Sequence, residues 1–359
     1  MNVSASTAMT SKERILRAIE HRETDRVPIV EKPWPATLER WRREGLGDKT
    51  PEEYFGLDQI VPLRVDNSPR FPNDVIEETD DYKVVRTKWG MTEKKWKHKG
   101  GTPLKLESAI TTPDDWLEAK QRMTYNEDRI PWDQLKNNWK KWQENGAFIQ
   151  ATGWFGFDVT HSHIIGTENA LMALIENPEW LVDMWHTQQN LNLSLLDRVW
   201  DEGYKFDGLR WPDDMGYKLS QFFSVDMYRE LLKPIHQRAV EWAHAKGISA
   251  SLHSCGDIRP FIPDLVEIGV DCLNPLEVKA GVDPLAVKEE FGDRLALHGG
   301  FDALLWHDLD KMAEAVKTNL PLLRKGGGYI FATDHSTPDE VSLNDFQRII
   351  DLVKEAGGY

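Results

Sequence analysis

A histidine and a cysteine two positions apart carry the clearest chemical signal in this chain. His253 and Cys255 stand in the segment HSCG. At the end of a strand, side chains two positions apart point to the same side, and an imidazole nitrogen with a thiolate sulfur suits Zn²⁺. A catalytic zinc needs three protein ligands, so His335, or Asp334 beside it, would complete the set. The alternative is a buried cysteine next to a hydrogen-bonded histidine.

The elements that would position these residues alternate along the chain. Amphipathic helical patterns follow most of the short apolar runs, and Gly247 and Gly269 stand where two helices should end. This succession is typical of parallel βαβ units. Eight such runs, in a chain without a G-x-G-x-x-G turn, predict an α/β fold of the (β/α)8 TIM-barrel type. The runs are 27–30, 60–65, 148–153, 206–211, 249–253, 272–275, 295–299 and 329–332.

Polar and titratable residues accumulate at the predicted strand ends. In a barrel these ends face one shared cavity, and their convergence, more than any single residue, indicates an active site. The residues expected to contact a substrate are Lys32, Trp34, Asp66, Trp154, His161, Asn274 and His298. The residues expected to orient it or to transfer protons are Asp214, Glu277 and Asp302.

Several of these residues also have a structural interpretation. Asp213 and Asp214 are adjacent, so only one should enter the cavity while the other serves a turn or a helix cap. Glu277 could act as a general acid or base, support a metal-bound histidine, or form a salt bridge with a residue such as Arg64. His161 could face the substrate or cap the helix that follows.

The stretch from about 66 to 147 interrupts the alternation of strands and helices. Residues 75–100 alternate enough to predict two or three antiparallel strands, and helical patterns follow at 111–123 and 130–145. We expect an insertion near the barrel mouth, within a single domain that spans 1–359, because long connections in compact domains are usually functional. The basic stretch 88–99 is expected to be a solvated hairpin, with a lid or a dock for an anionic partner as the alternative.

Composition limits the classes of partner. A formal net charge of -15 argues against nucleic acid, and no apolar run reaches the roughly 20 residues of a membrane span. The two cysteines do not form a disulfide framework, so a reducing compartment is expected. The N-terminus lacks a signal-peptide core and predicts a short leader followed by a helix capped by Ser11. We expect a cytoplasmic protein that acts on a small-molecule substrate, with a homodimer as the base-rate assembly.

Six stretches resemble the uroporphyrinogen decarboxylase superfamily and, within it, the corrinoid-linked methyltransferases. The strongest is 247–277, GISASLHSCGDIRPFIPDLVEIGVDCLNPLE. The resemblance spans nearly the whole chain and implies a (β/α)8 barrel. It also implies zinc held by His253, Cys255 and a further cysteine near the last strand. Because 331–338 (FATDHSTP) contains no cysteine, His335 or Asp334 would substitute. The other stretches are 11–29, 166–181, 213–234, 291–302 and 326–335.

The decarboxylase itself is the weaker resemblance. That enzyme uses no metal and holds the carboxylates of its tetrapyrrole with an arginine-rich stretch near the N-terminus. The matching region here, 25–41 (DRVPIVEKPWPATLERW), offers Lys32 but lacks that stretch. A chain without those arginines is poorly equipped to bind eight carboxylates.

Three functions follow from the resemblance. The first is a zinc-dependent methyltransferase that moves a methyl group between a small O-, N- or S-methyl compound and a corrinoid cofactor on a partner protein. The second is a metal-free decarboxylase or lyase that acts on a porphyrinogen-like tetrapyrrole. The third is a non-catalytic barrel that carries a corrinoid or a tetrapyrrole. Stoichiometric zinc is expected only for the first.

Overall fold

The computed structural model describes residues 8–98 and 101–359. Its strands are β1 (Ile60–Leu63), β2 (Val75–Glu78), β3 (Tyr82–Arg86), β4 (Met91–Trp96), β5 (Leu104–Ser108), β6 (Phe148–Thr152), β7 (Gly208–Pro212), β8 (Gly216–Tyr217), β9 (Ser220–Gln221), β10 (Ser249–His253), β11 (Cys272–Asn274), β12 (Ala296–His298) and β13 (Tyr329–Ile330). Its α-helices are α1 (Ser11–Ile19), α2 (Pro35–Trp41), α3 (Pro51–Phe55), α4 (Pro113–Gln121), α5 (Trp132–Glu144), α6 (Phe157–Val159), α7 (Thr167–Glu176), α8 (Pro178–Asp201), α9 (Val225–Met227), α10 (Lys233–Ala245), α11 (Ile262–Glu267), α12 (Pro284–Phe291), α13 (Leu309–Leu323) and α14 (Leu343–Ala356).

Seven of the described strands form one curled parallel sheet, in the order β1-β6-β7-β10-β11-β12-β13. Successive strands of this sheet lie side by side because the helices between them return the chain to the same edge. Each predicted strand from 60–65 to 329–332 overlaps one of the seven, so the predicted α/β class is confirmed. The carboxyl ends of all seven strands lie at one edge, where the polar residues collect.

The predicted first strand, 27–30, does not belong to this sheet. Ile29 forms a single parallel bridge to Phe331, just after β13. On the other side, the Ile29 N–H donates to the side-chain carboxylate of Asp58 (2.8 Å) instead of to a backbone carbonyl of β1. Pro28 has no N–H to donate to a ladder. The segment therefore lies beside the last strand without a continuous ladder, and the structure shows seven strands where the sequence predicts eight.

Helix α1 closes the end of the sheet opposite the polar edge. Thr10 caps it and forms a reciprocal capping box, so the prediction of Ser11 as the cap is wrong by one residue. Ile15 and Ile19 are buried and pack with Cys272 at the start of β11. Their apolar face seals this end of the sheet, as expected for an amphipathic helix. Most of the predicted leader, residues 1–7, lies outside the described residues.

Two helix ends follow the predicted glycine pattern. Gly247 after α10 and Gly269 after α11 have φ of +70° and +85°, a left-handed conformation that favours glycine. Each glycine reverses the chain into the next strand of the parallel sheet. None of the helices within 8–98 and 101–359 combines the length and the apolar character needed to cross a membrane.

The long connection between β1 and β6 forms its own antiparallel sheet, β2-β3-β4-β5, followed by α4 and α5. Three of its strands, β2 to β4, lie within 75–100, where the sequence predicts two or three, and β5 follows beyond that range. Met91 and Glu93 of β4 are buried, whereas β2 is exposed throughout. The Ser108 hydroxyl donates to the Ile164 carbonyl and thereby ties the sheet to the loop after β6. The basic stretch 88–99 runs along β4, and its last residue lies outside the described part of the chain.

Candidate active site

The turn after β10 is held by both neighbouring strand ends. β10 ends at His253, the Cys255 N–H donates to Asp214 Oδ1 (2.8 Å), and the Gly256 N–H donates to Glu277 Oε2 (2.6 Å). Gly256 has a φ of +81°, and a Cβ there would lie 2.1 Å from the backbone of β8. The turn therefore requires glycine, and its geometry places Cys255 next to Asp214.

Asp214, His253 and Cys255 bring their ligand atoms within 4.8 Å of one another, and we call them the ligand cluster. Cys255 Sγ lies 3.5 Å from His253 Nε2, which lies 3.8 Å from Asp214 Oδ1. Two ligands of a tetrahedral zinc are about 3.3 to 3.6 Å apart, given the usual bond lengths. All three side chains are partly exposed, which leaves room for a further ligand. The donor types suit a catalytic zinc; the sulfur–nitrogen spacing lies within this range, and the nitrogen–oxygen spacing is slightly longer.

Asn274 sets the orientation of the His253 ring. Asn274 Oδ1 lies 2.5 Å from His253 Nδ1, and its Nδ2 donates to the His298 carbonyl (2.9 Å). The second contact determines which amide atom faces the imidazole, so Nδ1 carries the proton and Nε2 keeps a free lone pair toward the ligand cluster. Burial, and then the charge of Arg210, lowers the pKa of His253 to about 3. The ring is therefore neutral, the form that binds metals.

The other two members of the ligand cluster experience excess negative charge. Burial, and then the charges of Asp214 and Glu277, raises the pKa of the Cys255 thiol well above its usual range. Burial, and then the charge of Asp158, raises the pKa of Asp214 to about 7. A divalent cation among these groups would reverse both shifts, so the electrostatics of the site also fit a metal.

Asp213 faces away from the ligand cluster and is completely buried. Its Oδ2 lies 2.8 Å from His236 Nε2, and its Oδ1 accepts the Asp158 N–H (2.7 Å). The Tyr228 hydroxyl lies 3.2 Å from His236 Nδ1, and burial raises the pKa of Asp213. This network joins α10 to the end of β7, and it thereby holds Asp214 in place.

A cavity of about 130 Å³ lies inside the curled sheet beside the ligand cluster, and we call it the central cavity. Ile15 and Ile19 of α1 form its closed end. Its polar lining comes from the strand interiors and from the segments after 27–30 and after β13. The polar lining residues are Glu31, Lys32, Gln150, Arg210, Ser251, His253, Asn274, His298, Thr333, Asp334, His335 and Ser336.

Some predicted site residues meet at this cavity. His253 and Asn274 line it next to the ligand cluster, and Lys32, His298 and His335 line it elsewhere. Burial, and then the charge of Lys32, lowers the pKa of His298 to about 3. Trp34 caps α2 near the rim, with its ring 5.5 Å from that of His335.

Two carboxylates that were predicted to belong to the site form structural contacts elsewhere. Asp302 caps a short helical turn, where its Oδ1 accepts the Leu304 N–H (2.9 Å), and it does not line the central cavity. Asp66 pairs with Arg70 (2.9 Å) and Lys88 (2.8 Å). The structure does not bring either carboxylate to the ligand cluster.

Trp154 and His161 belong to the aromatic region between the central sheet and the inserted sheet. The Trp154 ring lies 6.5 Å from that of Trp89, which is buried beside β4. The His161 ring stacks on Phe157 at 4.6 Å, and its Nδ1 lies 3.1 Å from Thr167 Oγ1. Both residues lie beyond the lining of the central cavity.

The ligand cluster does not include His335. Asp334 is also directed elsewhere, because its carboxylate accepts the N–H groups of Val278 and Ala303, each at 2.9 Å. The structure therefore places Asp214, from the end of β7, where the sequence analysis expected a group from the last strand.

Sequence reasoning missed two residues that shape the site. Arg210 lines the central cavity from the middle of β7, and a charged residue within a predicted buried strand was the available signal. His236 had no such signal. Its contact with Asp213 depends on how α10 packs against the sheet, across 23 positions of sequence.

Comparisons with known proteins agree with this architecture. The model of the uroporphyrinogen decarboxylase (URO-D) family matches residues 160–356, more than half of the chain. The chain therefore belongs to this family, and the resemblance seen in the sequence is confirmed. No curated protein matches the chain in sequence.

One solved structure shows the same fold at low sequence identity. A methyltransferase from Methanosarcina mazei is similar with a TM-score of 0.63 and 17% identity, over 97% of this chain and 99% of that chain. A xylanase 10B from Thermotoga maritima is more distant, with a TM-score of 0.39 and 11% identity, over 66% of this chain and 85% of that chain. The first likeness establishes the fold.

Proposed function

We propose that this protein is a zinc-dependent methyltransferase that moves a methyl group between a small O-, N- or S-methyl compound and a corrinoid on a partner protein. The ligand cluster, with its imidazole oriented by Asn274, is the observation that carries the proposal. Membership of the URO-D family and the fold shared with a methyltransferase support it. The surplus of negative charge around Cys255 and Asp214 supports a cation at this site.

Asp214 takes the place of the third ligand in this proposal. The carboxylate is a common zinc ligand, and it lies 3.8 Å from His253 Nε2. From the sequence alone, Asp214 was expected to orient the substrate or to transfer protons, and His335 was expected to bind the metal. Bound zinc would polarise the heteroatom of the methyl donor or stabilise the acceptor as its anion.

Other residues of the chain hold this arrangement. Asn274 keeps the His253 ring oriented with Nε2 toward Asp214 and Cys255, and Glu277 anchors the turn that carries Cys255. Lys32 and His298 line the cavity from which a substrate would approach.

We also propose that the segment 27–30 completes the sheet as the eighth strand of a (β/α)8 barrel. Its bridge to Phe331 on one side and its contact with Asp58 on the other support this closure. The inserted sheet and helices would then be an elaboration of one barrel domain that spans 1–359. We expect a cytoplasmic enzyme, with a homodimer as the assembly to test first.

Metal content tests the proposal directly. Elemental analysis of untagged protein should give about one zinc per chain in the wild type and in Cys272→Ser, the control for loss of a thiol away from the ligand cluster. Cys255→Ser and Asp214→Asn should lose the metal, and His335→Ala should keep it. Zinc-containing protein should then demethylate one of a panel of methyl donors in the presence of a corrinoid acceptor.

Each unexpected result has a distinct meaning. Zinc absent from the wild type would refute the metal-dependent transferase and favour the metal-free lyase or the carrier. Zinc lost from His335→Ala but kept in Asp214→Asn would restore the ligand set expected from the sequence.

A further inference from the structure

Two cations in the central cavity have no carboxylate partner. Arg210 is partly buried within β7, and Lys32 follows the segment 27–30 at the mouth. Within residues 8–98 and 101–359, no carboxylate oxygen lies within 4.0 Å of either charged group. An arginine keeps its charge in proteins, so a charged guanidinium without a partner carries a desolvation cost.

The positive charges also act on one another. Burial, and then the charges of Arg210 and Arg64, lowers the pKa of Lys32 to about 8. Burial lowers the pKa of Arg210 as well; the charge of Asp214 opposes this effect, and the charge of Arg64, the residue after β1, adds to it. The lining groups His253 and His298, from β10 and β12, carry no negative charge in either protonation state and cannot offset these charges.

The carboxylates that line the cavity are occupied by other contacts. Glu31 is buried and accepts the Thr333 N–H (2.5 Å) and hydroxyl (3.0 Å). Asp334 is buried and accepts two backbone N–H groups, from Val278 and Ala303. Neither carboxylate is therefore available to neutralise Lys32 or Arg210.

A buried hydroxyl on the same wall also lacks a partner. Ser251 is 5% exposed and lies beside Arg210 in the register of β10 and β7. Ser251 lines the central cavity, and its buried Oγ has no nitrogen or oxygen partner within the part of the chain that the structure describes, although the Cys272 thiol lies close to it. Most buried polar groups in native proteins are hydrogen-bonded, so this hydroxyl points to a polar ligand.

We propose that the central cavity binds the anionic group of a small substrate, held by Arg210, Lys32 and the Ser251 hydroxyl. The cavity of about 130 Å³ is smaller than the roughly 300 to 1,000 Å³ of sites for drug-sized ligands. The substrate class is a compact anion, such as a methylated carboxylic acid, whose methyl-bearing heteroatom reaches the ligand cluster. This inference deepens the proposed function and rests on it for the reaction, although anion binding itself does not require the metal.

Anion binding is measured on metal-free protein by thermal unfolding, at constant ionic strength balanced with chloride. A ligand of the folded state raises the melting temperature in a saturable manner. Acetate and inorganic phosphate are the probes, one for carboxylates and one for tetrahedral anions. Both probes should raise the melting temperature of the wild type. Arg210→Gln should need a concentration of either probe at least about tenfold higher for the same rise. Arg43→Gln, an exposed change of equal charge, is the matched control.

The variants also separate binding from structure. Without added anion, Arg210→Gln should melt at a higher temperature than the wild type, because an unpaired charge is removed; a purely structural arginine would give the opposite result. Ser251→Ala and Lys32→Gln should both weaken anion binding, and they decide the question if Arg210→Gln does not fold. Unchanged binding in these two variants, or a wild type that no probe stabilises, would overturn the inference. Zinc bound without anion binding refutes this inference alone, whereas anion binding without zinc refutes the proposed function alone.

Discussion

Replacing Asn274 by alanine should weaken zinc binding without changing any residue of the ligand cluster. Asn274 Oδ1 accepts a hydrogen bond from the His253 Nδ1–H at 2.5 Å. Without this acceptor the imidazole can rotate or change tautomer, so Nε2 no longer points at the metal. Loss of a hydrogen-bond partner behind a metal-bound histidine typically costs 10- to 100-fold in affinity, or about 1.4 to 2.7 kcal/mol.

Asn274→Asp is the second variant to compare with Asn274→Ala. A carboxylate still accepts from His253 Nδ1, but it cannot donate to the His298 carbonyl, which Asn274 Nδ2 reaches at 2.9 Å. Both variants should therefore lose about 1 to 3 kcal/mol of folding stability, because that carbonyl loses its partner. Only Asn274→Ala should lose metal affinity.

Competition with a fluorescent chelator measures the zinc affinity, and urea unfolding measures the stability. Asn137→Ala, on the exposed face of α5, is the control for a changed asparagine. The reasoning fails if Asn274→Ala binds zinc as tightly as the wild type. It also fails if Asn274→Asp loses as much affinity as Asn274→Ala, since the acceptor would then have no role.

Three further predictions test the surroundings of the site. Glu31 is buried with its pKa raised from 4.5 to about 7, so the wild type should lose up to about 3 kcal/mol of stability as pH rises from 4.5 through 7. Urea unfolding at pH 5 and pH 8 should show this loss in the wild type and not in Glu31→Gln. The same change in unfolding free energy in both proteins would refute the role of Glu31. Gly156 has a φ of +106°, and a Cβ there would lie 2.1 Å from Asp213 Oδ2. Gly156→Ala should cost more than about 3 kcal/mol, whereas Gly203→Ala (φ +93°, no atom within 4 Å) should cost less; similar values would contradict the steric argument. The pKa of Lys32 is lowered to about 8 by burial and two arginines, so anion affinity should fall above pH 8, and a flat profile from pH 6.5 to 9.5 would count against its role.

The strands show how much of the fold a local sequence pattern predicts. The apolar runs located all seven strands of the parallel sheet, because a buried strand needs a short apolar segment bounded by turns. The segment 27–30 satisfied the same pattern and still did not form a ladder. The Asp58 carboxylate accepts the Ile29 N–H, and this long-range contact cannot be inferred from local hydrophobicity.

The site was partly visible in the sequence as well. His253 and Cys255 were predicted as ligands from their spacing on one strand, and they do face each other. Asn274 was expected to contact substrate; it lines the central cavity and also lies behind the imidazole. Its role depends on the register of β10 and β11, which pairs it with His253.

The sequence by itself determined the α/β class, the order of the elements, the family and the pair of residues at the centre of the site. Periodicity and local spacing carry that information, because they act over a few residues. Only the tertiary structure decided that Asp214 joins His253 and Cys255, and that Arg210 lies in a cavity without a carboxylate partner. Those relations depend on strand register and on the hydrogen bonds of loops far apart in the chain, and these form only when the whole sheet has assembled.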